Sequence, residues 1–350
     1  MILVNSPGSW SHVYAPLRHA RWHGFTPTDL VFPFFLFIVG AATAFSLARY
    51  VDGERPRAGA YPRILRRTAI LFALGLLING FPNFDLADLR IMGVLQRIAI
   101  AYLLASIAVL HLSRRDLWIV CGVLLLGYWA AMQWVPVSGF GAGDLSPEGN
   151  LAAYLDRLML TSDHLYRGGP FDPEGPASTL PAVVTVLFGH FAGTWLRSRQ
   201  FQTSTSLRLA GAGVACVLVG AVWGLAFPIN KQLWTSSYVV FTAGWALLLL
   251  AACFQAVEVR GWKKLSLPFE IFGLNAIFVY VGSVVLAKIL AHASVETGSE
   301  SVNAGAWIYR TLFASWAGPI DASLLYACAT VALWWLVAYA LHRCGWAIKV

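Results

Sequence analysis

The stretch PLRHARWHGFTPTDLVFPFFLFIVG, residues 16–40, runs from a loop crowded with His, Arg and Trp directly into an apolar helix. Residues 29–48 are long enough to cross about 30 Å of hydrocarbon, yet His19, His23 and Asp29 stand at their threshold, where an uncompensated charge is costly. Composition says what surrounds this junction. Hydrophobic residues make up 58% of the 350 and charged residues 12%, with a mean hydropathy of +0.65, far from the ~25% charged of a soluble globular chain. The chain reads as an all-α, polytopic transmembrane helix bundle.

Nine segments are long and apolar enough to span: 29–48, 64–80, 92–110, 117–135, 179–196, 209–226, 236–256, 268–290 and 321–341. Each is expected to be a helix, because lipid offers no partner to an unpaired backbone group. MILVNSPG, residues 1–8, is apolar for four residues and stops at Asn5 and Pro7. It lacks the basic start and cleavage site of a signal peptide. It reads as the outer end of a tenth helix, a half span whose first half precedes Met1.

Orientation follows from the basic residues. Segments 49–67, 111–117, 197–208, 257–267 and 343–350 hold sixteen of the 25 Lys and Arg, and the alternate segments hold seven. The rich side is therefore cytoplasmic and includes the C-terminus. The connections 6–28, 136–177 and 291–320 are external loops of a single domain covering 1–350. The formal charge of +8 reads as topology and contact with anionic headgroups in a bilayer, and no nucleic-acid module is present. The five cysteines have no paired spacing and read as buried thiols.

Asn5, His19, His23 and Asp29 gather at the outer interface. Histidine is suited to move a proton near neutral pH, a carboxylate beside it fixes its tautomer, and Asn can stabilise an oxyanion. Each residue also has a plainer reading. A His beside Trp22 is an interfacial anchor, and Asp29 is a first-turn acid. His19 and His23 have the spacing of a helical metal pair, but Pro16, Gly24 and Pro27 oppose a helix there and no third ligand is evident, so no metal site is expected. Gln96 and Arg97 lie inside a span, where Arg97 needs an anion or acceptors. Asp85 and Asp88 are structural candidates, and a bound phosphate is the alternative. Arg63, Arg66, Arg67, Arg114 and Arg115 crowd helix ends on the opposite face, as topology alone requires or as a phosphate site would.

The segments HARWHGFTPTDLVFPFFLFIVG, RIMGVLQRIAIAY, FDPEGPASTLPAVVTVLFGHFAG, INKQLWTSSYV and LNAIFVYVG resemble, in order, motifs of the heparan-α-glucosaminide N-acetyltransferase family of transmembrane acyltransferases. The resemblance covers residues 1–342. It implies a bundle that takes acetyl from cytosolic acetyl-CoA and delivers it to an amino sugar or related glycan on the other side, and relatives suggest a homodimer. Carried over by position, the catalytic residues are His19, Asn5 and Asp29. The arginines at the cytoplasmic mouth, with Gln96 and Arg97 deeper in, are then expected to hold the CoA. A bacterial inner membrane is the expected location. The rival expectation is a transporter of N-acetylglucosamine with Gln96, Arg97 and Asn275 lining the path, although no duplicated half is visible.

Overall fold

The computed structural model describes residues 1–297 and 300–348. Among them, seven helices are long and apolar enough to cross a membrane: Pro27–Ser46, Val94–His111, Arg114–Trp134, Pro176–Arg197, Thr203–Trp223, Ser236–Val259 and Pro319–Arg343. They coincide with seven of the nine expected spans. The other two differ in instructive ways. Residues 61–80 do form a 20-residue helix, but Arg63, Arg66 and Arg67 are placed so that every 18-residue stretch of it contains all three charges. Residues 263–292 form two helices, Lys263–Leu274 and Ala276–His292, bent by 66° at Asn275.

In chain order the helices are α1 (Ile2–Asn5), α2 (Val31–Ser46), α3 (Ala48–Val51), α4 (Tyr61–Gly80), α5 (Val94–His111), α6 (Arg114–Trp134) and α7 (Leu151–Leu160). Then follow α8 (Pro176–Arg197), α9 (Thr203–Trp223), α10 (Ser236–Phe254), α11 (Lys263–Leu274), α12 (Ala276–His292), α13 (Ala304–Ile308) and α14 (Pro319–Arg343). The half span expected at the start is a single turn, α1, lying against α14. Residues 291–320 depart from pure helix, because Ser294–Thr297 and Glu300–Asn303 pair as a two-stranded antiparallel ribbon.

Local chemistry sets where the helices start. Pro27 opens the 3-10 turn that leads into α2, and the Asp29 carboxylate accepts from the Thr26 backbone N–H at 3.1 Å. Ser113 and Asp116 cap each other at the start of α6. The break at Asn275 is held from outside: its Oδ1 accepts from Ile348 N at 2.8 Å and its Nδ2 donates to Trp346 O at 3.3 Å. Pro268 has already removed one donor from α11.

The frame that positions everything else is α2 lying along α8. A Cβ on Gly40 would stand 1.8 Å from Val186 O, and one on Gly189 would stand 1.9 Å from Phe37 O. Only glycine lets the two backbones approach so closely, which is how helices gain contact where lipid removes the hydrophobic drive between them. Around this pair α4, α5, α6 and α10 close the main core, with Leu36, Ile64, Leu187, Trp234 and Tyr238 almost fully buried.

The connections sort to two ends. At one, Trp22 Nε1 donates to Leu145 O at 2.8 Å, Gly24 N to Ile229 O at 2.8 Å and Ile91 N to His164 O at 3.2 Å. At the other, Arg197 pairs with Asp52 at 2.7 Å and Tyr61 meets His111 at 2.5 Å. The N-termini of α2, α5, α8 and α10 all point to the first end, so their unpaired N–H groups and positive dipole ends converge there.

Candidate functional site

At that end the loop 16–28 wraps around one carboxylate. Asp29 is 1% exposed and accepts from His19 Nδ1 at 2.6 Å, Ala20 N at 3.1 Å, Thr26 N at 3.1 Å and Thr26 Oγ1 at 3.0 Å. Both oxygens are engaged, so the carboxylate is held as an anion. Its own backbone carbonyl accepts from Tyr238 OH at 2.6 Å, tying the loop to α10. The His19 side chain is 38% exposed. The imidazole therefore has one nitrogen locked on a buried anion while the ring remains partly exposed.

A third group completes the cluster. Lys231 Nζ lies 3.1 Å from His19 Nδ1, 3.4 Å from His19 Nε2 and 3.6 Å from Asp29 Oδ1. The turn that presents it is built by the buried Asn230, whose Oδ1 accepts from Leu233 N at 2.9 Å while Thr235 Oγ1 accepts from Asn230 N at 3.1 Å. Trp234 in the same turn takes a left-handed φ of 51°, an uncommon conformation for a bulky residue. Burial pulls the Lys231 ammonium below its ordinary range, opposed by the carboxylates of Asp29 and Glu174.

Below this lies a layer of buried ions. Arg97 is fully buried, with its guanidinium 5.0 Å from the centroid of the Trp234 ring, and donates through Nη2 to Gly175 O at 3.2 Å and to Ser178 Oγ. Its Nε and Nη1 make no hydrogen bond. The carboxyl groups whose charge acts on it are those of Glu174, Asp172 and Asp156, not Asp85, whose carboxylate caps Ala87 N, nor the exposed Asp88. Arg90 forks onto Asp172 at 2.8 and 2.6 Å and onto Glu174 at 2.6 Å. Burial opposes its charge, but the two carboxylates outweigh this and raise its pKa above the arginine norm. Burial lifts the Asp156 carboxyl to about 7 despite the hydrogen bond from Ala177 N.

The remaining sequence candidates separate. His23 shares no hydrogen bond with His19 and instead meets Asn230 Nδ2 through Nδ1 at 3.3 Å, and burial lowers its pKa. Among the described residues no three His, Cys, Asp or Glu side chains are grouped to hold a metal. Asn5 is exposed on α1, and its side chain makes no hydrogen bond to the His19 cluster. Gln96 is buried against Gly75 with its Nε2 unpartnered. Arg63 and Arg66 are exposed on α4. Arg67 instead lines a mostly apolar groove of about 330 Å3 between α2, α4, α5 and the α11–α12 break, bounded by Val39, Val94, Ile98 and Tyr280. Its guanidinium rests 4.8 Å from the Tyr102 ring centroid, and its Nε is unpartnered. Arg114 opens on a separate groove, and Arg115 is exposed. The Asn275 side chain is engaged by the backbone of Trp346 and Ile348.

Lys231, Arg90, Asp172 and Glu174 were not singled out from the sequence as site residues. The signal for Lys231, Asp172 and Glu174 was present in INKQLWTSSYV and FDPEGPASTL, where charged residues sit among turn formers beside an apolar helix, and Arg90 opens RIMGVLQRIAIAY.

Helices of this length and composition around a buried ionic cluster define a multi-pass membrane protein with a histidine–carboxylate–lysine site at one end. The sequence profile described as heparan-alpha-glucosaminide N-acetyltransferase, catalytic, matches residues 10–221, and the chain belongs to that family. Two proteins named heparan-alpha-glucosaminide N-acetyltransferase are similar. The human one is 31% identical over 340 aligned positions covering 81% of this chain and 50% of its own, and the mouse one is 30% identical over 345, covering 82% and 51%. The chain thus spans about half the length of the curated relatives it matches. His19, Asp29, Arg67 and Arg97 fall inside the profile match; Asn5 and Lys231 fall outside it.

Proposed function

We propose that residues 1–350 form one acyltransferase domain that moves an acetyl group from cytosolic acetyl-CoA to the amine of an amino sugar, or of a related glycan, on the external face. The observation that carries this is the exposed imidazole of His19 held by a 1%-exposed Asp29 with Lys231 beside it.

Asp29 accepts the Nδ1–H, which leaves the Nε2 lone pair as the base. Nε2 takes the proton of the attacking amine, and the new N–C bond forms as the thioester carbonyl becomes an oxyanion. Collapse expels the CoA thiolate, which recovers the proton, so the products are an acetamide and CoA-SH. Lys231 is the cation nearest His19 and would stabilise that oxyanion, a role the motif resemblance assigns to Asn5. The groove from Arg67 toward Val94 supports a route for the pantetheine arm: an apolar slot with a cation at the end opposite His19.

Purified protein should convert acetyl-CoA and glucosamine to N-acetylglucosamine and free thiol. Arg67→Gln should raise the KM for acetyl-CoA tenfold or more, the effect of losing a charged hydrogen bond of about 1.5–3 kcal/mol, whereas Arg63→Gln should change it little. Sugar uptake by proteoliposomes without CoA, and no acetylation, would instead identify a carrier.

For orientation we propose nine crossings, counting α4 and the bent α11–α12 pair, with the C-terminus cytoplasmic, in a bacterial inner membrane. A reporter fused after residue 350 should then label as cytoplasmic and one inserted at Gly143 as external. The reverse labelling would place His19 and the basic ends on the wrong sides for this reaction.

A further inference from the structure

A second groove, of about 470 Å3, opens on the flank between α6, α8, α9 and α10. Arg114 and Arg208 stand at its mouth, Trp118, Phe191 and Trp195 form its walls, and Cys216 lies toward its floor. Trp118 stacks on Phe191 with centroids 4.2 Å apart and planes 13° from parallel, so one wall is a fixed aromatic face.

Both arginines are exposed, and among the described residues neither makes a hydrogen bond or ion pair. The nearest acid along α6, Asp116, is committed to Ser113 through Oγ at 2.7 Å and N at 3.3 Å. From Arg208 to Cys216 is roughly 12 Å of helix at 1.5 Å per residue. One leaflet of hydrocarbon is about 15 Å deep, half of about 30 Å. Cations at the end of an apolar, tryptophan-walled slot of that depth match the layering of a bilayer interface. Deeper in, α8 is solid: Val184, Thr185 and Val186 are 0% exposed, so the groove offers no passage toward His19.

We propose that this groove binds one anionic phospholipid, its phosphate on Arg114 and Arg208 and one acyl chain lying along Trp118 and Phe191 toward Cys216. The inference is independent of the acetyl-transfer reading. A free phosphate has no use for the apolar slot. A zwitterionic lipid brings a cation to the same two arginines.

The test is native mass spectrometry of the full chain released from nonionic detergent, with phosphatidylglycerol and phosphatidylcholine of matched chains as probes. Two surface cations predict retention of phosphatidylglycerol over phosphatidylcholine by about tenfold to thirtyfold. The preference should vanish in Arg114→Gln/Arg208→Gln. It should also fall in Ala212→Trp, which fills the slot from an exposed lining position and leaves both arginines in place. Equal retention of the two lipids, or a preference that survives the double substitution, overturns the proposal. So does inorganic phosphate that competes as well as phosphatidylglycerol, which would mark a simple anion site, or CoA that displaces the lipid, which would mark a cofactor site.

Discussion

His19→Ala is expected to lower the turnover of acetyl transfer by about 10²–10⁴-fold, the usual contribution of a general base, with acetyl-CoA affinity unchanged. The geometry sets the pattern among neighbours. Asp29→Asn keeps the imidazole in place but removes the anion at 2.6 Å that fixes its tautomer, so its loss should be substantial and smaller than that of His19→Ala. Lys231→Met removes the cation nearest Nε2. If that cation steadies the oxyanion, turnover should fall by about 10²–10³-fold, as when a single oxyanion donor is lost. His23→Ala should matter little, because His23 bonds Asn230 and makes no hydrogen bond to His19, Asp29 or Lys231. Equal loss of activity in the two histidine variants, together with loss of activity to chelators in the unsubstituted protein, would replace this reading with a metal site. Near-normal turnover in His19→Ala would end the catalytic role altogether.

What could be read in the sequence follows the range of the forces involved. Hydropathy located seven of the spans because a bilayer imposes length and apolarity on each segment separately. The pairing of His19 with Asp29 was readable for a similar reason: ten residues separate them, across the junction between a Pro- and Gly-rich loop and a helix start. Lys231 is 212 residues from His19, so only the packing of α10 against α2 brings it near. Arg97 shows the same limit. The cost of burying it was evident from its position in a span, but sequence proximity suggested Asp85 and Asp88. The packing of α5 on α8 provides Gly175 and Ser178 instead. Asn5 was assigned by correspondence of motifs, and the structure leaves it exposed beside α14, with the cation at the imidazole supplied by Lys231. The ribbon formed by 294–297 and 300–303 had no signal, since each strand is short and carries a single apolar residue, too few for an alternating pattern.

Arg90→Met should destabilise the protein by about 3–5 kcal/mol, the cost of leaving a buried charge without its partner. Arg90 is 20% exposed at its side chain, and the carboxylates it holds, Asp172 and Glu174, are 0% and 11% exposed. Methionine fills most of the same volume, so the penalty arises mainly from two buried anions facing each other, with a smaller share from the contact with the Tyr166 ring at 4.7 Å. The charge cluster also sits where the 81–93 connection meets the segment leading into α8, in which the Gly175 carbonyl accepts from Arg97. Thermal unfolding of the detergent-purified chain should therefore show a lowered midpoint, accompanied by loss of acetyl transfer as the α8 N-terminus shifts under the His19 cluster. Adding Asp172→Asn to Arg90→Met removes one of the stranded charges and should recover part of the lost stability, giving a coupling energy of about 0.5–3 kcal/mol. Strict additivity of the two substitutions would show that solvent screens the pair, and that the layer beneath His19 is held by the α2–α8 backbone contact alone.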